Sequence, residues 1–357
     1  MNHFIPNDID EITPEWLTQV LTGQGIINSK VLEARHSKIG DDVGLLSKVV
    51  RTQLTYENPT GKEPDALVVK IEPSAGAFLG SANKAHVFAR EIRFYEEIAS
   101  QVPIRVPKYY YGDVDERGGV LILEDLTRLK QHSQIVGLPN ANVLAAVRQC
   151  AKLHAHFWGR DSSEGVDWIP RNDGRLFINV EAQWEQFEAL YGLRIGEQAV
   201  ELGRWLSQNI LNLQRIMAER IHTVCHADFR ADNLLFGEPG TADEVVIYDW
   251  QLATRAMGAL DVSRLVGGSE PEQERRVHPL EALSCWHEEL TSNGVQNYSI
   301  ENAMEDFRIA AIANLAVPVR LCLLAEQSDG RLGRLVDVMA ERLFASALEV
   351  EAWKVLP

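Results

Sequence analysis

Short apolar runs separated by turn-forming residues dominate the first third of the chain. Runs of this kind, rich in β-branched side chains and bounded by Gly, Pro, Asn or Asp, are typical of β-strands. The first two runs are expected to pair as a hairpin, because a glycine-containing loop joins them. The predicted strands are 31–36, 45–56, 66–72, 106–113 and 118–126.

Two helices are predicted in the same part of the chain. At 8–27, Thr13 is a candidate N-cap, Pro14 suits the first helical position, and an apolar face follows. At 83–100, apolar residues recur every three to four positions, which is the helical period. This second apolar face consists of Phe88, Ile92, Tyr95 and Ala99.

The chain from Asn142 onward has the period of amphipathic helices, apart from an irregular segment at 160–180 and the stretch 226–251. The longest apolar run, 309–325, contains Asn, Pro and Arg, so it is expected to be a core helix rather than a membrane span. The first predicted helix of this part begins at Asn142. The others are 181–191, 197–221, 258–265, 271–292, 301–326 and 329–354.

Composition narrows the range of partners and compartments. The 357 residues include 35 basic and 51 acidic side chains, and the net charge of −16 argues against binding to nucleic acid or to an anionic membrane. Such a charge suits a cationic or neutral ligand. The N-terminus lacks the regions of a secretory signal, and the four cysteines have no metal-ligand spacing. We therefore expect free thiols and a cytoplasmic protein.

The strongest chemical pattern lies at 226–251. His226, Asp228 and Asn233 have the spacing H-x-D-x-x-x-x-N, and an apolar strand ends at Asp249, sixteen residues after the Asn. A phosphoryl-transfer site needs one carboxylate that accepts the proton of an attacking hydroxyl, and oxygen ligands that hold Mg²⁺ on the ATP phosphates. Asp228 suits the first role, and Asn233 and Asp249 suit the second. Each half of the pattern is common by chance, but the two halves at this spacing are not.

A phosphate-binding lysine is the next requirement, and Lys70 interrupts the apolar strand 66–72. In a kinase such a lysine pairs with the α- and β-phosphates and is aimed by a helical glutamate. Glu91 lies beside the apolar face of the helix at 83–100 and is the better partner, whereas Glu96 is a second choice. The alternative for Lys70 is a strand lysine that points to solvent.

Two backbone segments are candidates for nucleotide contacts. The loop residues Gly40, Asp41, Asp42, Val43 and Gly44 contain two glycines four positions apart, which would let N–H groups approach phosphates. A plain hairpin turn explains the same residues.

The second segment is a predicted hinge, where the strand 118–126 gives way to helices. Backbone groups of Glu124, Asp125 and Leu126 are candidates to contact an adenine edge. We assign no role to the side chains of Glu124 or Asp125.

The chain has Lys70, Glu91, His226, Asp228, Asn233 and Asp249 in this order. In these residues it resembles the aminoglycoside phosphotransferase and choline kinase group of the protein-kinase-like superfamily. Within that group, ecdysteroid-kinase-like small-molecule phosphotransferases look most similar. The resemblance covers roughly residues 30–330. It is also carried by the segments 123–126, 152–158, 226–236 and 247–251.

The resemblance implies a bilobal α+β protein-kinase-like fold. The N-terminal lobe, 1–123, would contain an antiparallel sheet and one helix; 124–126 would be the hinge; and 127–357 would be a mainly helical C-terminal lobe, with ATP in the cleft. By position, Asp228 matches the catalytic base of the group, and Lys70 matches its phosphate lysine.

Asn233 and Asp249 match the Mg²⁺ ligands of the group. The implied reaction is ATP- and Mg²⁺-dependent phosphorylation of a hydroxyl on a small molecule. An antibiotic O-phosphotransferase acting on an aminoglycoside or a macrolide is an alternative, and a regulatory nucleotide-binding pseudo-kinase is an alternative of another class. The sequence indicates neither the acceptor, nor a preference for ATP over GTP, nor the oligomeric state.

Two departures from the group bear on these expectations. Ala227 stands where the group usually has Gly, a small change that does not predict loss of activity. Trp250 and Gln251 replace the Phe-Gly of protein kinases, and no Ala-Pro-Glu segment follows, which argues against phosphorylation of proteins.

Three further residues have local interpretations. Arg230 is a candidate catalytic residue that stabilises charge on the γ-phosphate, or else a loop arginine that pairs with Asp232 or Asp261. Asp261 itself is expected either to hydrogen-bond the loop that carries Asp228 or to cap the helix that follows. His154 is expected to be a packed core residue rather than a metal ligand.

Overall fold

The structure is a computed structural model. It describes residues 4–39, 48–73, 81–115, 118–160, 165–171, 175–269, 278–326 and 330–356. By packing, the chain divides into two compact units: 1–101 with 106–129 and 248–252, and 102–105 with 130–247 and 253–357. This division does not test the predicted boundaries of the lobes and the hinge, which stay predictions.

The first unit is built on an antiparallel sheet of five strands. Its strands are β1 (Val31–Lys38), β2 (Lys48–Tyr56), β3 (Ala66–Pro73), β4 (Tyr109–Asp115) and β5 (Gly118–Glu124). They lie in the order β1-β2-β3-β5-β4, so β3 has hydrogen-bonded neighbours on both sides. The five predicted strands are confirmed, with ends that shift by a few residues.

Helix α1 (Pro14–Gly23) begins as the sequence predicts. The side chain of Thr13 accepts a hydrogen bond from the backbone N–H of Trp16 at 3.2 Å, which satisfies one of the unpaired donors of the first turn. The apolar face of the helix, Leu17 and Leu21 included, is buried in one core with the inner side chains of the sheet.

Helix α2 (Ser81–Arg93) continues into a π-helical segment, Phe94–Ile98, and together they account for the predicted helix at 83–100. Gly119 on β5 lets this helix approach the sheet closely, since a Cβ there would lie 2.5 Å from the ring of Phe88. The close approach fixes the position of Glu91 on the same helix.

The second unit is mainly helical in its described residues. Its helices are α3 (Asn140–His156), α4 (Val180–Ile195), α5 (Glu197–Gln208), α6 (Ile210–Ala218), α7 (Ala259–Ser269), α8 (His278–Ser292), α9 (Ile300–Asn314), α10 (Ala316–Glu326) and α11 (Arg331–Glu349). None of the helices in the described part of the chain is both long enough and apolar enough to cross a membrane.

Three of the predicted helices are in fact interrupted. The segment 329–354 forms α11 and then a short 3₁₀-helix, Ala352–Val355, because Glu351 between them has the left-handed φ of 55°. The segment 197–221 forms α5 and α6, because Asn209 between them has non-helical dihedral angles, φ −124° and ψ 24°. The segment 301–326 forms α9 and α10. Pro318 has no N–H, so it belongs in the first turn of a helix rather than in its interior, and α10 begins two residues before it.

Short strands in the second unit frame the stretch 226–251. They are β6 (Lys130–Gln131), β7 (Thr223–Cys225), β8 (Leu234–Phe236), β9 (Val245–Ile247) and β10 (Thr254–Ala256). Strands β6, β8 and β9 form one antiparallel sheet, and β7 pairs with β10. The loop between β7 and β8 carries Asp228 and Asn233, so both of its ends are held by sheet pairing.

Candidate active site

In the first unit, Lys70 is the centre of a buried ion-pair triad. Its ammonium nitrogen lies 2.6 Å from Oε2 of Glu91 and 2.8 Å from Oδ1 of Asp249. Glu96, the second choice, instead accepts a hydrogen bond from the hydroxyl of Tyr109 at 2.7 Å. The structure therefore pairs Lys70 with Glu91, and Lys70 is not a solvent-facing strand lysine.

Burial and charge pairing act in opposite directions in this triad. Burial disfavours the charged ammonium of Lys70, but the carboxylates of Asp249 and Glu91 outweigh this effect and raise its pKa above the usual value. Burial raises the pKa of Glu91 to about 7, although Lys70 pulls it in the opposite direction. One lysine thus pairs with carboxyl groups from two separate parts of the chain.

Asp249 is held in the first unit by the residues that follow it. The ring of Trp250 is fully buried and stacks on Phe94, with centroids 4.0 Å apart and planes inclined by 7°. The side chain of Gln251 donates to Oδ2 of Asp249 at 3.2 Å. Replacement of the kinase Phe-Gly by Trp250 and Gln251 therefore supplies an anchor and a hydrogen-bond donor for this carboxylate.

In the second unit, the loop before Asp228 is fixed by one buried carboxylate. Asp261 on α7 accepts the backbone N–H of His226 at 2.7 Å and that of Ala227 at 2.8 Å. This confirms the expectation that Asp261 hydrogen-bonds the loop. The two bonds hold Ala227 in the left-handed conformation, with φ 65°.

A second layer of buried groups supports Asp261. The indole N–H of Trp286 donates to Nδ1 of His154 at 3.1 Å, so the proton of this imidazole is on Nε2, which lies 3.3 Å from Asp261. His154 is fully buried, as the expectation of a core residue requires. Cys150 lies close enough to complete a three-ligand cluster, but these groups are already engaged with one another in hydrogen bonds.

The carboxylate of Asp228 has two differently occupied oxygens. Its Oδ2 accepts from Nε of Arg230 at 2.9 Å and from the amide of Asn233 at 3.0 Å, whereas Oδ1 lies 3.4 Å from a guanidinium nitrogen of Arg264. Burial alone would raise the pKa of this carboxyl, but the two arginines outweigh it and hold the pKa far below its usual range. Asp228 is therefore ionised, as a proton acceptor must be.

Each predicted Mg²⁺ ligand, taken within its own unit, offers oxygen atoms of a suitable kind. The amide nitrogen of Asn233 donates to the backbone carbonyl and to the carboxylate of Asp228, which turns its amide oxygen away from them. Asp249 offers carboxylate oxygens that are held by Lys70 and Gln251. Amide and carboxylate oxygens are the hard ligands that Mg²⁺ prefers.

Arg230 makes one of the ion pairs that the sequence left open. It bonds to Asp232 and to Asp228, and its Nη1 donates to the side chain of Gln134 at 3.1 Å. Asp261 is not its partner in the described hydrogen bonds. A role at the γ-phosphate stays a prediction.

The family is shown by comparison with known proteins. The sequence profile of the phosphotransferase enzyme family (APH) matches residues 51–291, well over half of the chain. The chain belongs to this family. No curated protein sequence matches it.

Solved structures of other phosphotransferases share the fold. Choline kinase from Cryptosporidium parvum Iowa II has a TM-score of 0.59 at 12% identity, over 98% of each chain. The GDP complex of wild-type aminoglycoside 2'-phosphotransferase-IIIa gives 0.51 at 13%, over 92% of this chain and 97% of that one. The gentamicin–APH(2")-IIa complex gives 0.50 at 14%, over 99% and 100%. At these identities the similarity confirms the α+β kinase-like fold alone.

Two predicted nucleotide-binding segments of this phosphotransferase have different outcomes. Gly40, Asp41, Asp42, Val43 and Gly44 all lie outside the described residues, so their role stays a prediction.

At the predicted hinge, the N–H of Glu124 donates to the carbonyl of Lys108, and the carbonyl of Leu126 accepts from Leu129, both at 2.9 Å. Asp125 pairs with Arg51 at 2.8 Å. The side chain of Glu124 accepts a hydrogen bond from the backbone N–H of Lys108 at 3.0 Å, so the side chains of both Glu124 and Asp125 have structural partners. Nucleotide contacts by the hinge stay a prediction.

Sequence reasoning missed two arginines of the phosphotransferase. Arg264 lies one helical turn after Asp261 on α7. A helix that places Asp261 against the loop therefore also places Arg264 there, and the sequence contained this spacing. Arg331 begins α11 and lies 2.9 Å from Asp232, about a hundred residues away in sequence. No local pattern could have indicated the second contact.

Proposed function

We propose that this phosphotransferase transfers the γ-phosphoryl group of ATP to a hydroxyl group of a small molecule, with Mg²⁺. The observation that carries the proposal is the triad of Lys70, Glu91 and Asp249. An ammonium held between a helical glutamate and a metal-binding aspartate is the arrangement that kinases use to gather a triphosphate.

The chain supplies each part of the reaction. Lys70 would bind phosphate oxygens, and Asn233 and Asp249 would be the ligands of Mg²⁺. Magnesium, when bound, neutralises charge on the β- and γ-phosphates. Asp228 takes the proton as the acceptor O–H bond breaks. The hydroxyl oxygen bonds to the γ-phosphorus while the bond from that phosphorus to ADP breaks.

Arg230 is assigned to the same step. Its guanidinium lies against Asp228, and at the oxygens of the transferred group it would stabilise negative charge. Its ion pair with Asp232 limits the movement of the guanidinium. We therefore rank Arg230 below Asp228 as a contributor to turnover.

The finer assignments follow the resemblance. A likeness to ecdysteroid-kinase-like enzymes supports a small acceptor, and ATP rather than GTP is proposed on the same ground, although structural neighbours include GDP complexes. The four cysteines are free, three of them buried, which fits a reducing cytoplasm.

The test is ATP consumption with Mg²⁺ against pooled hydroxyl compounds: aminoglycosides, macrolides, choline-like alcohols, sterols, sugars and hydroxy acids. We expect at least one pool to stimulate consumption. Asp228→Ala should then lose about 10²–10⁴-fold in rate, the range of general-base catalysis, while it still binds ATP. Undiminished turnover in this variant would remove Asp228 from its role, and ATP binding without consumption in any pool would favour a regulatory pseudo-kinase.

A further inference from the structure

The two oxygens of Asp228 leave only one position for an acceptor hydroxyl. Oδ2 already accepts two hydrogen bonds of normal length, from Arg230 and Asn233. Oδ1 has one long contact, at 3.4 Å, with Nη2 of Arg264. If the function proposed above is right, the hydroxyl donates to Oδ1, and the acceptor therefore lies beside Arg264.

Arg264 is a buried cation with weak partners. Its side chain is 5% exposed, and apart from the long contact to Asp228 its guanidinium nitrogens lie 3.5 Å from the sulfur of Met339 on α11. A thioether is a poor acceptor, whereas a guanidinium carries five N–H donors. Among the described residues Arg264 makes no hydrogen bond of normal length to an oxygen atom. Apart from its long contact with Asp228, this buried cation has no anionic partner among the described residues.

The charges around the loop that carries Asp228 also favour an anionic ligand. Within the part of the chain that the structure describes, Arg230, Arg264 and Arg331 contact two carboxylates, Asp228 and Asp232. These contacts leave one positive charge in excess. The net charge of −16 is spread over the whole chain and is screened beyond about 10 Å, so the neighbouring arginines decide what the acceptor meets.

We propose that the acceptor is a hydroxycarboxylic acid, whose hydroxyl donates to Oδ1 of Asp228 and whose carboxylate binds Arg264. A carboxylate would give Arg264 an oxygen partner at normal hydrogen-bond length, and its planar pair of oxygens matches the fork of a guanidinium. A polycationic acceptor such as an aminoglycoside would meet uncompensated arginines. The local charge thus reverses the expectation from the net charge, which favoured a cationic or neutral ligand.

The test compares kcat/KM for short hydroxy acids, their primary amides and the amino alcohols of equal length, in the wild-type protein and in Arg264→Gln. Charge-assisted hydrogen bonds correspond to a preference of about 10–100-fold for acid over amide. Arg264→Gln should abolish that preference by raising KM for the acid, and any change in kcat should be common to acid and amide. Arg264→Lys, which keeps the positive charge, should retain part of the preference for acid over amide.

Arg194→Gln is the matched control, because Arg194 pairs with Asp337 and Glu341 on the surface. It should leave the acid-to-amide ratio unchanged. A wild-type preference for amides or amino alcohols would overturn the proposal, as would an unchanged ratio in Arg264→Gln.

A binding measurement separates this proposal from the proposed function. Saturation transfer from protein to hydroxy acid, observed by NMR without ATP, needs no turnover. If no compound is phosphorylated, the proposed function fails. The anion site still stands if the acid binds more tightly than its amide to the wild-type protein and not to Arg264→Gln, and it falls if the two ligands bind alike.

Discussion

Ala227 and Asp249 both adopt the left-handed backbone conformation, with φ values of 65° and 66°. Side chains with a Cβ rarely adopt it, and such residues cluster at functional sites where their surroundings impose the strain. Here the surroundings are visible: Asp261 holds the N–H of Ala227, and the stacking of Trp250 fixes the residue next to Asp249. Ala227 precedes the proposed base Asp228, and Asp249 is itself a proposed Mg²⁺ ligand.

Replacement of Ala227 by glycine should relieve this strain. A Cβ in the left-handed region costs about 1–2 kcal/mol, and the greater freedom of glycine in the unfolded chain offsets part of the gain. We expect Ala227→Gly to raise the free energy of unfolding by about 0.5–1 kcal/mol, measured by urea denaturation.

The control for this substitution is Ala231→Gly in the same loop. Ala231 is buried and its φ lies outside the left-handed region, so the variant should lose stability. Equal losses in the two variants would show that Ala227 is not strained.

Individual site residues were predictable to different degrees. The spacing of Asp228, Asn233 and Asp249 is a local property of the chain and could be read from the sequence. The contact of Arg264 with Asp228 depends on how α7 packs beneath the loop. The contact of Arg331 with Asp232 depends on how α11, which begins at Arg331, packs in the second unit. Such contacts exist only in the folded chain.

Helix α9 of the second unit carries Asp306, a buried carboxyl group with a raised pKa. Asp306 accepts the hydroxyl of Tyr298 at 2.9 Å and lies 3.5 Å from Arg220. Burial raises the pKa of Asp306 to about 6, although both neighbours oppose this. The folded protein therefore binds this proton more tightly than the unfolded chain does, where the pKa is about 3.9.

This shift predicts a pH dependence of stability. Protonated Asp306 contributes fully below about pH 4, and the contribution is lost as pH rises through about 6. A shift of about two pKa units corresponds to up to about 3 kcal/mol. Asp306→Asn should therefore flatten the decline in the free energy of unfolding between about pH 4 and pH 7, followed by urea denaturation. Parallel pH profiles of variant and wild type would contradict the assignment.

Element types were more predictable than their interruptions. Alternating apolar positions and turn residues gave all five strands of the first sheet, and the helical period gave α1 and α2. The breaks at Asn209 and before Pro318 were missed, because the apolar period continues across them. The π-helical segment after α2 has no periodicity of its own that a sequence reading would detect.

At the scale of the whole molecule, the sequence predicted the fold class through its motifs, and the structural comparisons confirm it. It did not predict that residues 248–252 pack with the first unit while the strand just before them belongs to the second. That assignment brings Asp249 to Lys70. The whole-chain charge also did not indicate the three arginines near Asp228 and Asp232, which are a local departure from a strongly acidic average.

The central claim is that Asp228 accepts a proton while phosphate passes from ATP to a small molecule. The most direct test is to follow the γ-phosphate of radiolabelled ATP in the wild-type protein, in Asp228→Asn and in the surface control Asp337→Asn, each with Mg²⁺ and a mixture of hydroxyl compounds.

We predict that label appears in a small organic product with the wild-type protein and with Asp337→Asn, and that Asp228→Asn is slower by about 10²–10⁴-fold while it still binds ATP. Label that reaches only inorganic phosphate or protein, or that is transferred equally well by Asp228→Asn, would contradict the account.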